Sequence, residues 1–408
     1  MKPITIALVG IGGYGENYVQ RVLEEGQNLS LQLVGAIDPH PDSCQFLSVL
    51  QNKQVPLFPS LEEFYKQQTA DLVVISTPIQ YHFSQSEYSL LHGSHVLCEK
   101  PLCATVRDAL QLRKTRDTMG KQFAVGFQWA YDDAFIKLKE DVLAGRLGEP
   151  LRLRSLVLWP RDEKYFARPW AGKIKAPDGT WILDSVANNA AAHFLHAMLH
   201  LLGDSMETST FPAEVTAELY RANPIENYDT GTFRIVDQKN REILFFASHA
   251  IKNTYSPMFR FEFEEGTVVF NDPWYPENSG NLLFYAQNGK TIEYGNPNHL
   301  SLKKLDWVVQ SLQGIVRIPC SIESALSHTL CIEAGQKSVP VIQDFPPELV
   351  RVEKEQKLRW IEGLEETLFR CFDSGKLPKE AGAPWAREGK TVSIQGKDID
   401  NIQIIPYK

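Results

Sequence analysis

Residues 184–203 read DSVANNAAAHFLHAMLHLLG and set His193, His196 and His200 at i, i+3 and i+7, the spacing of one helix face. Imidazoles in that pattern could bind a metal, move protons or fill a core. Over two turns they would span about 10 Å, too far for one ion to be reached by all three. No HExxH-like acidic partner accompanies them, so no metal site is expected, and His196 and His200 read as core or hydrogen-bonded groups. Two other stretches carry chemistry: the run Gly10, Ile11, Gly12, Gly13, Tyr14, Gly15, and the tetrapeptide Cys98-Glu99-Lys100-Pro101.

These residues need a scaffold. The apolar runs ITIALVG, LQLVGAID, DLVVIST, HVLCEK and FAVGF alternate with amphipathic segments through residue 127, the pattern of a parallel sheet covered on both faces. The glycine run then falls between a first strand and a helix whose buried face holds Tyr18, Val19, Val22 and Leu23. In that context the glycines allow a tight turn, close approach to a pyrophosphate and close helix packing, and the helix N-terminus attracts the phosphates. The second strand ends in Asp38, 23 residues after Gly15. A carboxylate there accepts from ribose hydroxyls and repels a 2'-phosphate, so NAD is expected over NADP. The bland role for Asp38 is a turn cap in DPHPDS.

Ser76, Thr77, Pro78 and His82 follow one apolar strand, and Glu99 and Lys100 follow the next. Strand C-termini are where ligands sit in open α/β sheets, so these residues, with Gln128, are read as cofactor contacts.

After about residue 132 the pattern becomes strand-rich, with LRLRSLVLW, AEVTAELY, TGTFRIVD, EILFFASHA, MFRFEFEEGTVVF and NLLFYAQNGKTIEYG. Runs of strands with glycine turns predict a second, α+β domain with a largely antiparallel open sheet. The division read from sequence is an α/β Rossmann domain over 1–127, an α+β domain over 128–343, and a helix and tail over 344–408 packed on the body. The last helix is expected to align Trp360, Ile361, Leu364, Leu368 and Phe372.

Composition narrows the partners. The 408 residues carry a formal charge of -8 without a clustered basic patch, which argues against nucleic acid. The N-terminus runs straight into a strand with no leader or long apolar span, and six scattered cysteines fit reduced thiols, so a cytoplasmic protein with no membrane attachment is expected.

Taken in order, GIGGYG, Asp38, STPIQYH, CEKP, VGFQ and EEGTVVF resemble the glucose-fructose oxidoreductase and inositol dehydrogenase (Gfo/Idh/MocA) family over roughly residues 3 to 340. The resemblance implies NAD-dependent hydride transfer at a sugar-like secondary alcohol, with Lys100 beside the reacting hydroxyl, the domain over 128–343 binding substrate, and its open sheet forming a homodimer or homotetramer. It also implies an aspartate followed four residues later by a histidine. Here Asp184 fits the aspartate, but position 188 is Asn and the nearest histidine is His193, ten residues before Gly203. A five-residue insertion would reconcile both ends. Nine residues turn a continuous helix to its opposite face, so the helix must begin after Asp184, near Asn188 with Ser185 or Asn188 as cap.

His193 is then the expected catalytic partner of Asp184, with Asn188 or Asn189 taking its place if the insertion loops elsewhere. The family's Asn-x-Arg is Gln128-Trp129-Ala130 here, which removes one anion-binding arginine. The loop over residues 159–181 reads equally as a substrate site, in which Tyr165, Arg168 and Trp170 contact a sugar by stacking and hydrogen bonding alongside Asn188 and Asn189, and as a folded lid packed on the sheet or an oligomer contact. The leading expectation is an NAD-dependent dehydrogenase of a carbohydrate or polyol. Its rivals are a glycoside-cleaving or epimerising enzyme that oxidises its substrate transiently, and a non-catalytic NAD-responsive binding protein.

Overall fold

Ile4–Val9 is apolar but for Thr5, and the structure places it inside a six-stranded parallel sheet with Ile6–Val9 buried. The computed structural model describes residues 2–275, 280–297, 302–353, 355, 357–396 and 402–406. The sheet order is β3-β2-β1-β4-β5-β6, with β1 Ile4–Val9, β2 Leu31–Ile37, β3 Leu57–Phe58, β4 Leu72–Ile75, β5 His95–Cys98 and β6 Phe123–Val125. The order reverses between β1 and β4, which opens a crevice at the C-terminal strand ends. Gly10, Asp38, Ser76 and Glu99 each directly follow one of these strands.

The chain divides into two units, residues 1–131 with 300–325, and residues 132–299 with 326–408. The return of 300–325 to the first unit differs from a simple cut at residue 127. Its physical reason is the helix Lys303–Leu312, whose Leu305, Val308 and Val309 join the core formed by Ile6, Leu8, Tyr18, Val19 and Val22.

The second unit is built on an eleven-stranded sheet among the described residues, ordered β14-β13-β12-β11-β7-β10-β9-β8-β18-β19, with β15 beside β8. Its strands are β7 Pro150–Leu158, β8 Pro212–Arg221, β9 Thr230–Asp237, β10 Glu242–Ser248, β11 Met258–Phe263, β12 Gly266–Phe270, β13 Leu282–Ala286, β14 Thr291–Gly295, β15 Gln343–Asp344, β18 Val392–Gln395 and β19 Gln403–Pro406. Pairing is antiparallel except for β7 with β10 and β8 with β15. The β7–β10 pair leaves the sheet side by side, so Trp159 N–H donates to the Ser248 carbonyl at 3.0 Å and Arg161 N–H to His249 at 3.3 Å.

The helix Ala192–Leu201 packs against β7 and β10, and so does the helix Leu364–Ser374. Leu156, Leu158, Leu244 and Phe246 form one cluster with Leu364, Leu368, Cys371 and Phe372. The Arg154 guanidinium closes that helix's C-terminus, donating to the carbonyls of Phe372 and Asp373 at 2.7 and 2.6 Å. That helix therefore covers the β7–β10 part of the open sheet. Trp360 and Ile361 do not extend the helix as expected; they lie in β17 Leu358–Ile361, paired with β16 Val350–Glu353. Gly363, at φ 75°, breaks the backbone before the helix begins. Among the described residues no helix is long and apolar enough to cross a membrane, and no group of His, Cys, Asp or Glu could hold a metal ion.

Candidate functional site

In the first unit the loop after β1 turns into the helix Gly15–Glu25 so tightly that a Cβ on Gly15 would lie 1.9 Å from the Gly10 carbonyl oxygen. The amides of Gly12, Gly13 and Tyr14 donate to no described residue. Three free N–H groups beside a helix N-terminus make an anion cradle that fits a pyrophosphate. Asp38 closes the loop from β2: its Oδ2 accepts the Ile11 N–H at 3.0 Å and its Oδ1 the His40 N–H at 2.8 Å. The carboxylate thus serves both as turn cap and as a charged acceptor beside the cradle.

The residues after β4 hold the loop from behind. Ser76 Oγ donates to the Gly10 carbonyl at 2.7 Å, and Thr77 Oγ1 to Gln85 at 2.6 Å. Pro78 leads into a 3-10 turn at Ile79–Tyr81. His82 is buried with one ring nitrogen 2.8 Å from the Thr77 carbonyl and the other 2.7 Å from that of Pro101. Burial lowers its pKa against the pull of those carbonyls. His82 thus braces two strand ends through both ring nitrogens.

Glu99 is held by side chains of its own unit. Its Oε1 accepts from the Tyr18 hydroxyl at 2.6 Å and from the Lys304 ammonium, and Lys304 also donates to the Tyr14 hydroxyl at 3.1 Å. Burial lowers the Lys304 pKa, but Glu99 more than offsets it and leaves it raised. A Cβ on Gly126 would lie 2.8 Å from Glu99 Oε2, so the glycine of VGF makes room for this carboxylate. Lys100 is half-buried at the end of β5, joined to Pro101 by a cis bond, and Gln128 opens the 3-10 turn Gln128–Tyr131.

In the second unit Asp184 is 2% exposed and organises its surroundings. Oδ2 accepts the Gly172 N–H at 2.6 Å, Oδ1 the Asn189 amide at 2.8 Å, and the Asn227 amide donates to the Asp184 carbonyl at 3.0 Å. Just before it Leu183 stands at φ 50°, and the Asn188 amide donates to its carbonyl at 3.0 Å. Asn188 and Asn189 therefore both hold this loop through their side-chain amides. The helix begins at Ala192, not near Asn188, because residues 185–191 form turns in which Asn188 N–H meets Ser185 Oγ at 3.1 Å. His193 is half-buried in its first turn. His196 and His200 are buried and stacked, centroids 5.6 Å apart, with Lys139 Nζ 3.3 Å from the His200 ring nitrogens.

The loop after β7 carries Tyr165, Arg168 and Trp170. The Arg168 guanidinium lies 3.8 Å from the Tyr165 ring centroid and 4.4 Å from that of Trp170, and Nε donates to the Tyr165 carbonyl at 2.9 Å. Burial raises the Tyr165 phenol, and the Asp184 carboxylate adds to the rise.

A model of an oxidoreductase family with an NAD-binding Rossmann fold, the Gfo/Idh/MocA family, matches residues 4–127. The first domain belongs to that family. An inositol 2-dehydrogenase of Leifsonia xyli subsp. xyli is 31% identical over 149 residues, 36% of this chain and 44% of that protein. A 1-carboxy-3-chloro-3,4-dihydroxycyclohexa-1,5-diene dehydrogenase of Comamonas testosteroni is 28% identical over 152 residues, 36% of this chain and 37% of that one. The chain thus spans less than half the length of these curated relatives. Among solved structures, the WlbA dehydrogenase from Bordetella pertussis in complex with NADH and UDP-GlcNAcA aligns at TM-score 0.66 and 21% identity, covering 82% of this chain and 96% of that one. An oxidoreductase from Agrobacterium radiobacter in complex with NAD+, L-tartaric acid and magnesium aligns at TM-score 0.67 and 16% identity, covering 83% and 96%. At these identities the likeness is one of fold.

Within this Gfo/Idh/MocA-type domain, Lys304 and the Tyr18 hydroxyl are site-supporting groups that the sequence did not single out. Tyr18 read as a helix's apolar face, and nothing local marks Lys304, since its partner Glu99 lies 205 positions away. In the second unit Arg161 and His249 were also passed over, although both follow parallel strands.

Proposed function

We propose that the protein is an NAD-dependent oxidoreductase acting between a secondary alcohol of a sugar, cyclic polyol or sugar derivative and the nicotinamide. The observation that carries this reading is the cradle of free amides at Gly12, Gly13 and Tyr14 with the Asp38 carboxylate fixed beside it. The amides would donate to the pyrophosphate and Asp38 would accept from the adenine ribose. The cofactor, when bound, supplies the hydride acceptor. Lys100, at the end of β5, is the group proposed to exchange the alcohol proton, and His193 is the second unit's candidate for proton transfer. The activity of the inositol dehydrogenase relative and the ligand of the WlbA relative support the substrate class. A homodimer or homotetramer in the cytoplasm is part of the same proposal, and its contacts would avoid the β7–β10 face covered by the helix Leu364–Ser374.

The test is NAD reduction followed at the nicotinamide absorbance over a panel of polyols and sugars, with wild type beside Lys100→Met. Turnover that falls about 10²- to 10⁴-fold in the variant, with NAD affinity kept, supports the reading. NAD binding without turnover on any member overturns it.

A further inference from the structure

Four cations of the second unit, Arg161, Lys164, Arg168 and Lys252, line one cavity of about 550 Å³ together with Asp162, Tyr165, Thr254 and Leu358. None of the four has a carboxylate within ion-pair distance among the described residues, unlike the sheet arginines Arg152, Arg154, Arg234 and Arg260. Asp162, the cavity's single acid, uses Oδ1 to cap the turn at Tyr165 N–H, 3.0 Å away.

The two guanidiniums are held rather than loose. Both lie over the Tyr165 ring, Arg168 at 3.8 Å and Arg161 at 4.9 Å from its centroid, and Arg168 also lies over Trp170. Arg168 Nη2 and Arg161 Nε are nevertheless buried without a hydrogen-bond partner. A buried guanidinium N–H without an acceptor is costly, and a like-charged neighbour adds to that cost. A carboxylate or phosphate oxygen removes both penalties, and stacking on aromatic rings pre-organises the fork to receive it.

Behind Tyr165, His249 is 2% exposed, and its Nδ1 lies 2.7 Å from the Trp159 carbonyl. That bond fixes the proton on Nδ1 and leaves Nε2 as a bare acceptor, which is also buried and unpartnered. Burial, with Arg161 and Arg168 adding to it, holds this ring neutral, its pKa pushed down to about 3. Unsatisfied donors and an unsatisfied acceptor thus gather around one tyrosine.

We infer that the cavity around Tyr165 is an anion-recognition site in which Arg161 and Arg168 bind a carboxylate or phosphate group carried by a hydroxylated ligand. This deepens the oxidoreductase reading, on which it rests for the reaction: the substrate class becomes an acidic sugar, a uronate or a sugar phosphate, rather than a neutral polyol. The binding argument stands on the second unit alone.

The test is calorimetric titration of the full-length protein with D-glucuronate, glucose 6-phosphate, inorganic phosphate and glucose. The expected result is saturable binding of glucuronate or glucose 6-phosphate at least about tenfold tighter than glucose, the two arms separating carboxylate from phosphate. In Arg168→Gln and Arg161→Gln the anion affinity falls about tenfold or more, Arg168→Lys recovers part of it, and Lys239→Gln, on the remote surface, changes nothing. Circular dichroism confirms that each variant is folded; if either glutamine variant fails to fold, the lysine variant and a salt titration of wild type carry the test. Equal affinity for glucose and the anions, no saturable anion binding, or anion binding indifferent to both arginines overturns the inference. The two readings fail differently: anion binding at Arg168 without NAD reduction removes the dehydrogenase and keeps the site. NAD reduction by a neutral polyol, unaffected in Arg168→Gln, does the reverse.

Discussion

The Lys304 ammonium donates to the Glu99 carboxylate across 205 positions of sequence, with both side chains almost wholly buried. The same ammonium touches the Tyr14 hydroxyl of the glycine loop. Removing it leaves a buried charge without compensation, which costs about 3–5 kcal/mol. Lys304→Met is therefore expected to lower the urea midpoint sharply, and Lys304→Met with Glu99→Gln to recover much of the loss. A double variant no more stable than Lys304→Met would show that the pair is not the unit of stability.

The role of Asp38 in cofactor choice separates from its role in the loop. Asp38→Asn keeps an acceptor for the Ile11 N–H but removes the charge that repels a 2'-phosphate. The variant should move the ratio of NADP to NAD affinity about tenfold or more towards NADP, read by fluorescence titration of the reduced cofactors. An unchanged ratio would leave Asp38 as a turn cap only.

What was legible in the sequence was local. Ile4–Val9 and Leu72–Ile75 announce a parallel sheet because burial on both faces demands largely apolar runs, and the six strand-rich segments of the second unit became strands where their patterns put them. Leu57–Phe58 is too short to carry a pattern, and Trp360 and Ile361 fit a helical stripe by accident of spacing until Gly363 is seen at positive φ. The glycine run and Asp38 could be read because one turn joins them to their strands. Lys304 with Glu99, and Arg161 with His249, could not, because the first depends on which distant helix packs beside a strand end and the second on which distant strands pair.

Buried histidines make stability depend on pH. His82, His200 and His249 all have lowered pKa values, chiefly through burial. For a histidine depressed on folding, the neutral form is the folded form. Its stabilisation is complete above the unfolded pKa of about 6.5 and is lost as pH falls towards the folded value. Between about pH 7.5 and 5.5 His249, its folded value pushed down to about 3, should forfeit about 1 kcal/mol, and His82 and His200 add losses of the same sign. Denaturation at the two pH values measures the sum, and His249→Asn should shrink the difference by about one histidine's share. A pH-independent midpoint would contradict the burial of all three.

Asp184 and His193 are expected to part company under substitution. Asp184 accepts the buried Gly172 N–H and the Asn189 amide, so Asp184→Ala strands two donors and should cost about 2–3 kcal/mol of stability, whereas Asp184→Asn should cost less. His193 lies half-buried in the first turn of its helix, outside the fully buried stripe of His196 and His200. His193→Ala should leave the midpoint within about 0.5 kcal/mol of wild type. If His193 moves the proton, kcat falls about 10²-fold or more with NAD affinity intact, and the acidic limb of the pH–rate profile disappears. If kcat is unaffected while Lys100→Met abolishes turnover, the proton moves through Lys100, and Asp184 acts by positioning the Gly172 and Asn189 segments alone.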